Sequence, residues 1–545
     1  HAPAQPEDEG VQVGLAPLGA GASPAGKARK ASAAVAQAAC PEMGSCAGAM
    51  RHTESRRGLR RRNYILGGGL TLLALVPCFW QRRIQAGDFS SHLYNAWLAI
   101  EIKEGRAPGL ELAGQWTNVL FDLFLEGLLR TAGVEAAQRI AASILVLVFF
   151  WGVLVFLRAA SGQWAWWPAP LVWALAYGLV FHVGLCNFYL SLGLCLWALA
   201  LARQPRAGRR AAAAAVGALA FTAHALPVAW AAAYAVYRVV AQRLGRGGRL
   251  LLFAASAAAL WALRQAAFAH FEAVDRPSVV FFGAGADQLW IYGDRSRALA
   301  SAAAGLCVAL LVLALVQAGL RRLNQDELLA WYLLTVLAVV LAPFGVWLPG
   351  YRQPLALLPE RLSLAAGVVL CGVLARCRPG PVERAALWAV AVSFFALLYL
   401  DHRALNAVED RVEAAVARVP PGERVISALC LSRSRFDALE HMIDRACLGR
   451  CYSYGNYEPQ SWAFRVRARE PNRFAIADLE TMIRMWAGQY VVLAREAPLY
   501  EVYACREGRE VCVRRLEAGD RISSTCLEAM PRMAPLPGGD FESRD

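Results

Sequence analysis

Apolar runs of about twenty residues recur between Tyr64 and Asp401, and an α-helix of that length spans the hydrocarbon of a bilayer. The runs are continuous rather than alternating, which predicts helices and excludes a membrane β-barrel. With 57% of its 545 residues hydrophobic and 18% charged, the chain reads as an all-α polytopic membrane domain. A net charge of +14 would otherwise suggest nucleic acid. Here the arginines sit in short clusters between apolar runs, where they set orientation, so no nucleic-acid partner is expected.

Residues 1–60 are rich in Ala, Gly and Pro and lead into the basic cluster Arg56, Arg57, Arg60, Arg61 and Arg62. They read as a disordered cytoplasmic tail, followed by an anchor helix rather than a cleaved signal peptide. Of the next apolar stretches, Thr117 to Thr131 and Arg139 to Leu157, only the second is assigned as a crossing. That choice puts the clusters Arg203 to Arg210, Arg243 to Arg249, Arg321–Arg322 and Arg376 to Arg384 on the inner side. Crossings are then expected near 64–80, 139–157, 167–182, 187–202, 211–223, 226–242, 249–269, 297–319, 327–347, 361–377 and 384–401, about eleven in all.

The same assignment places His92, His182, His224 and His270 at or near the outer face. Asp88, Asp275, Arg276, Asp287, Asp294, Arg352, Glu360 and Arg361 fall there too. Ionisable groups at membrane depth are costly and mark function. Asp88 and His92, four apart, share a face at the start of a helix over Phe89 to Glu104, whose stripe of Phe89, Leu93, Ala96, Trp97 and Ile100 lets it lie along the bilayer. Asp88 either caps that helix or serves chemistry. Asn118, Asp122, Glu126 and Arg130 form one stripe on the surface segment, either solvated or turned inward towards Asp88.

After Asp401 the composition becomes that of a small α/β domain, 402–545, reached through a linking helix (Arg403 to Arg418) and a turn at Pro420-Pro-Gly422. Strands are expected at Arg424 to Ala428, Tyr490 to Leu493 and Leu499 to Ala504, with helices around Phe436 to Arg445 and from Ile476 to Ala487. It holds six cysteines: Cys430, Cys447, Cys451, Cys505, Cys512 and Cys526. Cys505 and Cys512 flank Arg-Glu-Gly-Arg-Glu and can face each other across a hairpin, giving a candidate disulfide in an oxidising compartment. Cys447, Cys451 and His441 are an alternative zinc set. The stretch Cys451 to Arg465 offers aromatic surfaces that suit either a sugar or a core.

The order of these features resembles the GT-C superfamily of membrane glycosyltransferases that use polyprenyl-phosphate-linked sugars. The resemblance covers about 64–401 and rests on Gly87-Asp88 after the first apolar helix, and on Gly133-Val-Glu-Ala-Ala-Gln-Arg139 opening the next. Val419-Pro-Pro-Gly-Glu-Arg-Val425 is similar to the entry into an outer tail domain. The chain departs from the family's pattern at Gln115 to Asn118, where relatives carry a Pro-Pro pair. It departs again at His182 to Asn187, which lacks the second carboxylate that relatives often carry, and at His224-Ala-Leu-Pro227, where relatives commonly have a Lys before the Pro.

What the resemblance implies is sugar transfer to a glycan, lipid or protein acceptor at the outer face of a bacterial inner membrane, with a periplasmic tail domain. Asp88 would be the base, and Arg352 and Arg361 would bind the donor phosphate or, alternatively, ordinary lipid headgroups. His92, His182, Asn187 and His224 are candidate acceptor or metal contacts, and a divalent ion is a candidate cofactor. A transporter or flippase of lipid-linked or polar solutes, and a membrane scaffold without catalysis, are the competing readings. The transporter would need inverted repeats, and no clear repeat is visible.

Overall fold

The computed structural model describes residues 58, 61–204, 206–275, 285–319, 326–427, 429–431, 435–469, 472–476, 478–486, 488–506, 508–523 and 525–527. The expectations for residues 1–57 and 59–60, Arg276, Arg321–Arg322 and the side chains of Cys430 and Cys526 fall outside them. Two compact units are distinguished, 1–68 and 69–545. In the first, residues 61–68 are helical.

The second unit is mainly helical, with a small region of strands towards the carboxyl end. Four described helices are long and apolar enough to cross a membrane: Leu120–Ser161, Arg246–His270, Asp294–Ala318 and Pro381–Val416. Shorter apolar helices cover 169–183, 186–202 and 327–341. Two expected crossings are interrupted, one by a tertiary contact and one by a proline.

The helix expected at 167–182 is two pieces, α3 (Ala169–Ala176) and α4 (Leu179–Val183). They part at Gly178, where a Cβ would stand 2.8 Å from Cβ of Gln288. The helix expected at 327–347 is capped by Asp326, whose carboxylate accepts from the Leu328 and Leu329 amides, and ends at Leu341. Pro343 follows, and proline disfavours helical geometry in the residue before it. Beyond it Gly345–Val346 (β3) lies between Ala273–Val274 (β2) and Leu355–Ala356 (β4) in a small antiparallel sheet.

The surface segment and the crossing after it form one 42-residue element, α2 (Leu120–Ser161), broken at Gly133. Gly133 takes φ 75° and ψ 172°, a conformation open to glycine and strained for other residues. The first turns of α2 can therefore leave the direction of its apolar remainder. α1 (Gly87–Lys103) precedes it and packs against it.

At the other end α12 (Pro381–Val416) is a single 36-residue helix. The crossing expected at 384–401 and the linking helix expected from Arg403 are therefore continuous. No Gly or Pro lies between Val382 and Val416 to end the helix at Asp401.

Beyond α12 a four-stranded mixed sheet runs β10-β9-β5-β7, with β5 (Arg424–Ser427) parallel to both β7 (Tyr452–Ser453) and β9 (Leu499–Cys505). β9 and β10 (Glu510–Leu516) form the hairpin that carries the Cys505–Cys512 disulfide. Of the expected strand 490–493, the structure keeps one isolated bridge, Val491 to Arg521. The two expected helices are shorter and start later, as α13 (Met442–Cys447) and α15 (Leu479–Trp486). β1 (Leu110–Leu112), from the loop after α1, pairs antiparallel with β8 (Val466–Ala468).

A buried ionic knot ties α12 and α13 to the residues before α1. The Glu409 carboxylate, wholly buried, accepts from Arg445 Nε at 2.6 Å, Arg445 Nη2 at 2.9 Å and Gln85 Nε2 at 2.7 Å. Arg83 reaches Asp410 at 2.8 Å and Glu413 at 2.8 Å. Charges buried in this way persist only when each is paired.

Candidate active site

A cleft of about 550 Å³ opens where α1, the turn after α4, the start of α7 (Ala225–Arg243), the 348–361 segment and the residues around α13 meet. Asp88 stands at the first turn of α1 and faces it. The turn 183–187 closes against that helix end because Gly184 has no side chain. A Cβ there would lie 2.6 Å from the Asp88 amide nitrogen, and its φ of +91° is itself a glycine conformation.

His92, one turn along α1, also lines the cleft. Its Nδ1–H donates to Asp122 Oδ1 at 2.7 Å, and Asp122 Oδ2 accepts from Asn187 Nδ2 at 3.0 Å. Asn187 Oδ1 in turn accepts the Phe121 amide at 2.9 Å. Burial opposes the charged form of His92, but Asp122, Glu458 and Asp88 outweigh it and push the imidazole up to about 9.

Arg361 enters from the first turn of α11 (Leu358–Leu374). Its Nε donates to the Ala356 carbonyl at 3.0 Å and its guanidinium lies 5.3 Å from the Phe188 ring centroid. It is 9% exposed and lines the same cleft as Asp88. Leu185, Leu226, Leu348 and Leu355 supply much of the remaining wall, so the charges sit beside apolar surface.

The structure gathers Asp88, His92, Asn187, His224 and Arg361 around one cavity, with Asp122 directly behind His92. Within the stripe of the surface segment Asp122 and Glu126 are buried, while Arg130 at its far end is exposed. Glu126 goes elsewhere, to Lys103 Nζ and Arg465 Nη2, each at 2.5 Å.

Arg352 is not in the wall, although Tyr351 and Gln353 are. Its guanidinium stacks 4.4 Å from the Trp462 ring centroid, and its amide donates to the Ser461 carbonyl. His182 lies outside the cleft. Its Nδ1–H donates to the Gly178 carbonyl at 3.1 Å, so its Nε2 accepts from His402 Nε2–H at 3.0 Å, and His402 Nδ1 accepts the Trp80 indole at 3.2 Å. That chain satisfies both imidazoles as packing groups.

These partners also decide how a divalent ion would fit. His92 Nδ1 is held by Asp122, His182 Nε2 by His402, and His224 Nδ1 accepts the Leu226 amide at 3.1 Å. The three imidazoles do not converge as a ligand set. His441 faces carboxylates rather than Cys447 and Cys451, so the alternative zinc set does not assemble either. Among the described residues the one compact donor group is Cys505, Glu510 and Cys512, and its two sulfurs are already bonded to each other.

Residues after α12 complete the cleft: Glu440, His441, Tyr457 and Phe464. His441 Nε2 lies 3.3 Å from Asp88 Oδ1, and its Nδ1–H donates to Asp444 Oδ2 at 3.0 Å. Asp444 is fixed by Ser453 Oγ at 2.5 Å and Asn456 Nδ2 at 3.2 Å. Burial raises Glu440 to about 7 and carries Glu458 well above the usual carboxylate range. The sequence signal for this group was Glu440-His441-Met-Ile-Asp444, an acid beside a histidine with a second acid three residues on. No spacing in the sequence ties it to Asp88, more than 350 residues upstream.

Fold and site together define a helical protein with membrane-length apolar helices and an ionic cleft where its helices meet the residues after α12. No family model matches the chain, and no curated protein does. Among solved structures it is similar to the crystal structure of ArnT from Cupriavidus metallidurans in the apo state, at 13% identity and a TM-score of 0.45 over 82% of this chain and 93% of that one. That likeness is one of outline and assigns no activity.

Proposed function

We propose that this protein is an integral membrane glycosyltransferase of the GT-C kind, moving a sugar from a polyprenyl-phosphate donor to an acceptor hydroxyl or amine. The observation that carries the reading is the sharing of one apolar-walled cleft by a carboxylate, Asp88, and a buried guanidinium, Arg361. In this reading Asp88 takes the acceptor proton as the new bond forms at the anomeric carbon. The bond from that carbon to the phosphate oxygen breaks, its electron pair stays on the phosphate, and Arg361 meets the developing charge. Leu185, Leu226, Leu348 and Leu355 receive the first isoprene units beside the phosphate.

The reaction then takes place at the outer face of a bacterial cytoplasmic membrane, with the amino end inside and the carboxyl-terminal domain in the periplasm. No step is routed through a metal ion, because the histidines present do not form its ligand set.

The test is donor turnover by the purified full chain in lipid nanodiscs against a panel of radiolabelled polyprenyl-phosphate sugars. The reading expects at least one donor to be consumed, with Arg361→Ala raising its KM tenfold or more. Consumption of none by well-folded protein would overturn it.

A further inference from the structure

We infer that His441, oriented by Asp444, is a positioning residue for Asp88: an imidazole supplied by the residues after α12 that aims this carboxylate into the cleft. The inference rests on the reading of Asp88 as a base, and adds a residue outside the helical region to which the sequence resemblance is confined.

The geometry is that of a carboxylate, an imidazole and a second carboxylate in line. His441 Nδ1–H donates to Asp444 Oδ2 at 3.0 Å, which turns Nε2 towards Asp88 Oδ1 at 3.3 Å. Asp444 cannot swing away, because Ser453 and Asn456 hold its two oxygens, and the Ser453 amide donates to Tyr94 Oη on α1 at 2.8 Å. The next residue, Arg445, is locked to Glu409, the Ile84 carbonyl and Gln138. α13 is thereby fixed to the residues just before Asp88 on one side and to α1 on the other. Two side chains from remote parts of the chain are held in register by this packing.

The charge state follows from the neighbours. Facing Asp88 and His441 are Glu440, Asp444, Tyr457 and Glu458 from the carboxyl-terminal domain. His92 comes from α1, Arg361 from α11 and Cys186 from the start of α5 (Cys186–Ala202). Burial opposes protonation of His441, but Glu440, Asp444 and Asp88 outweigh it and hold the ring protonated well above its ordinary range. The carboxylate that faces the acceptor therefore has a fixed cationic donor 3.3 Å from Oδ1, and replacing His441 removes that neighbouring charge.

The experiment has two arms on the full chain in nanodiscs. In the first, the pH dependence of donor turnover is compared for wild type, His441→Asn and Asp444→Asn. His441→Asn should move the acidic limb up by one pH unit or more and lower kcat at about pH 6 at least tenfold. Turnover should recover at higher pH, with donor KM changed less than twofold. Asp444→Asn should move the limb in the same direction by less. An acidic limb that stays put while kcat falls at every pH would reduce His441 to a packing residue.

The second arm needs no donor. In protein carrying 15N-labelled histidine, the His441 signal, identified by its loss in His441→Asn, should remain that of an imidazolium at about pH 8. Asp88→Asn should lower its midpoint by a unit or more. A midpoint near the free value of about 6.5, indifferent to Asp88→Asn, would overturn the inference whatever the enzyme's activity. If wild type consumes no donor yet this coupling is present, the pairing stands and only the transferase reading fails.

Discussion

Asp88, His92 and Arg361 were legible as single residues, because ionisable groups next to apolar runs are conspicuous. Their partners were not. The sequence stripe through Asp122 and Glu126 was open to a solvated or an inward face, and burial of both carboxylates selects the inward one. His182 was conspicuous for the same reason as His92 and is a satisfied packing group, which depends on His402, 220 residues away. Two predictions belong to this scale. His92 is raised in the folded state to about 9, so its pairing with Asp122 stabilises fully below the unfolded value of about 6.5 and is lost as pH rises through 9. Thermal unfolding between those pH values should therefore show stability falling with pH, and His92→Gln should flatten that slope. Gly184→Ala should lower both stability and turnover, since the new Cβ meets the Asp88 amide and the backbone has positive φ. A loss of about 1–3 kcal/mol is expected from such strain, read from the unfolding midpoint in nanodiscs.

At the scale of elements, hydropathy locates the apolar helices well and their ends poorly. It reads Thr117 to Thr131 and 139–157 as separate, and the structure keeps a break between them at Gly133, where a single glycine conformation suffices. It misses the interruption at Gly178 because the reason is tertiary: the approach of Gln288. It also divides α12 at Asp401, where one acidic residue changes the hydropathy but nothing ends the helix. That continuity gives α12 a second task, since Glu409 near its far end holds Arg445 on α13. Glu409→Gln leaves Arg445 short of its counter-charge in a buried place, and breaking such a pair costs about 3–5 kcal/mol. Hydrogen exchange should then show faster opening over 440–456, with turnover reduced in proportion. Unchanged protection there would mean that α13 is held by its other contacts alone.

For the whole molecule, residues 69–545 form one compact unit and α12 runs straight through Asp401, whereas the sequence reads as a helical region up to Asp401 followed by a tail domain. It does not reveal that the cleft is built from both. The β1–β8 pairing, the Gln85–Glu409 hydrogen bond and the Asp88–His441 contact each join residues more than 300 positions apart, and no local pattern encodes such distances. The segment after α12 is accordingly part of the wall, contributing Glu440, His441, Tyr457 and Phe464. The most direct measurement is donor turnover by wild type and Asp88→Asn side by side in nanodiscs, with folding checked by unfolding midpoint. The account predicts that the variant keeps the wild-type fold and donor binding while kcat falls by about 10²–10⁴-fold, the range of a lost general base. Asp88→Asn turning over donor at the wild-type rate would contradict it.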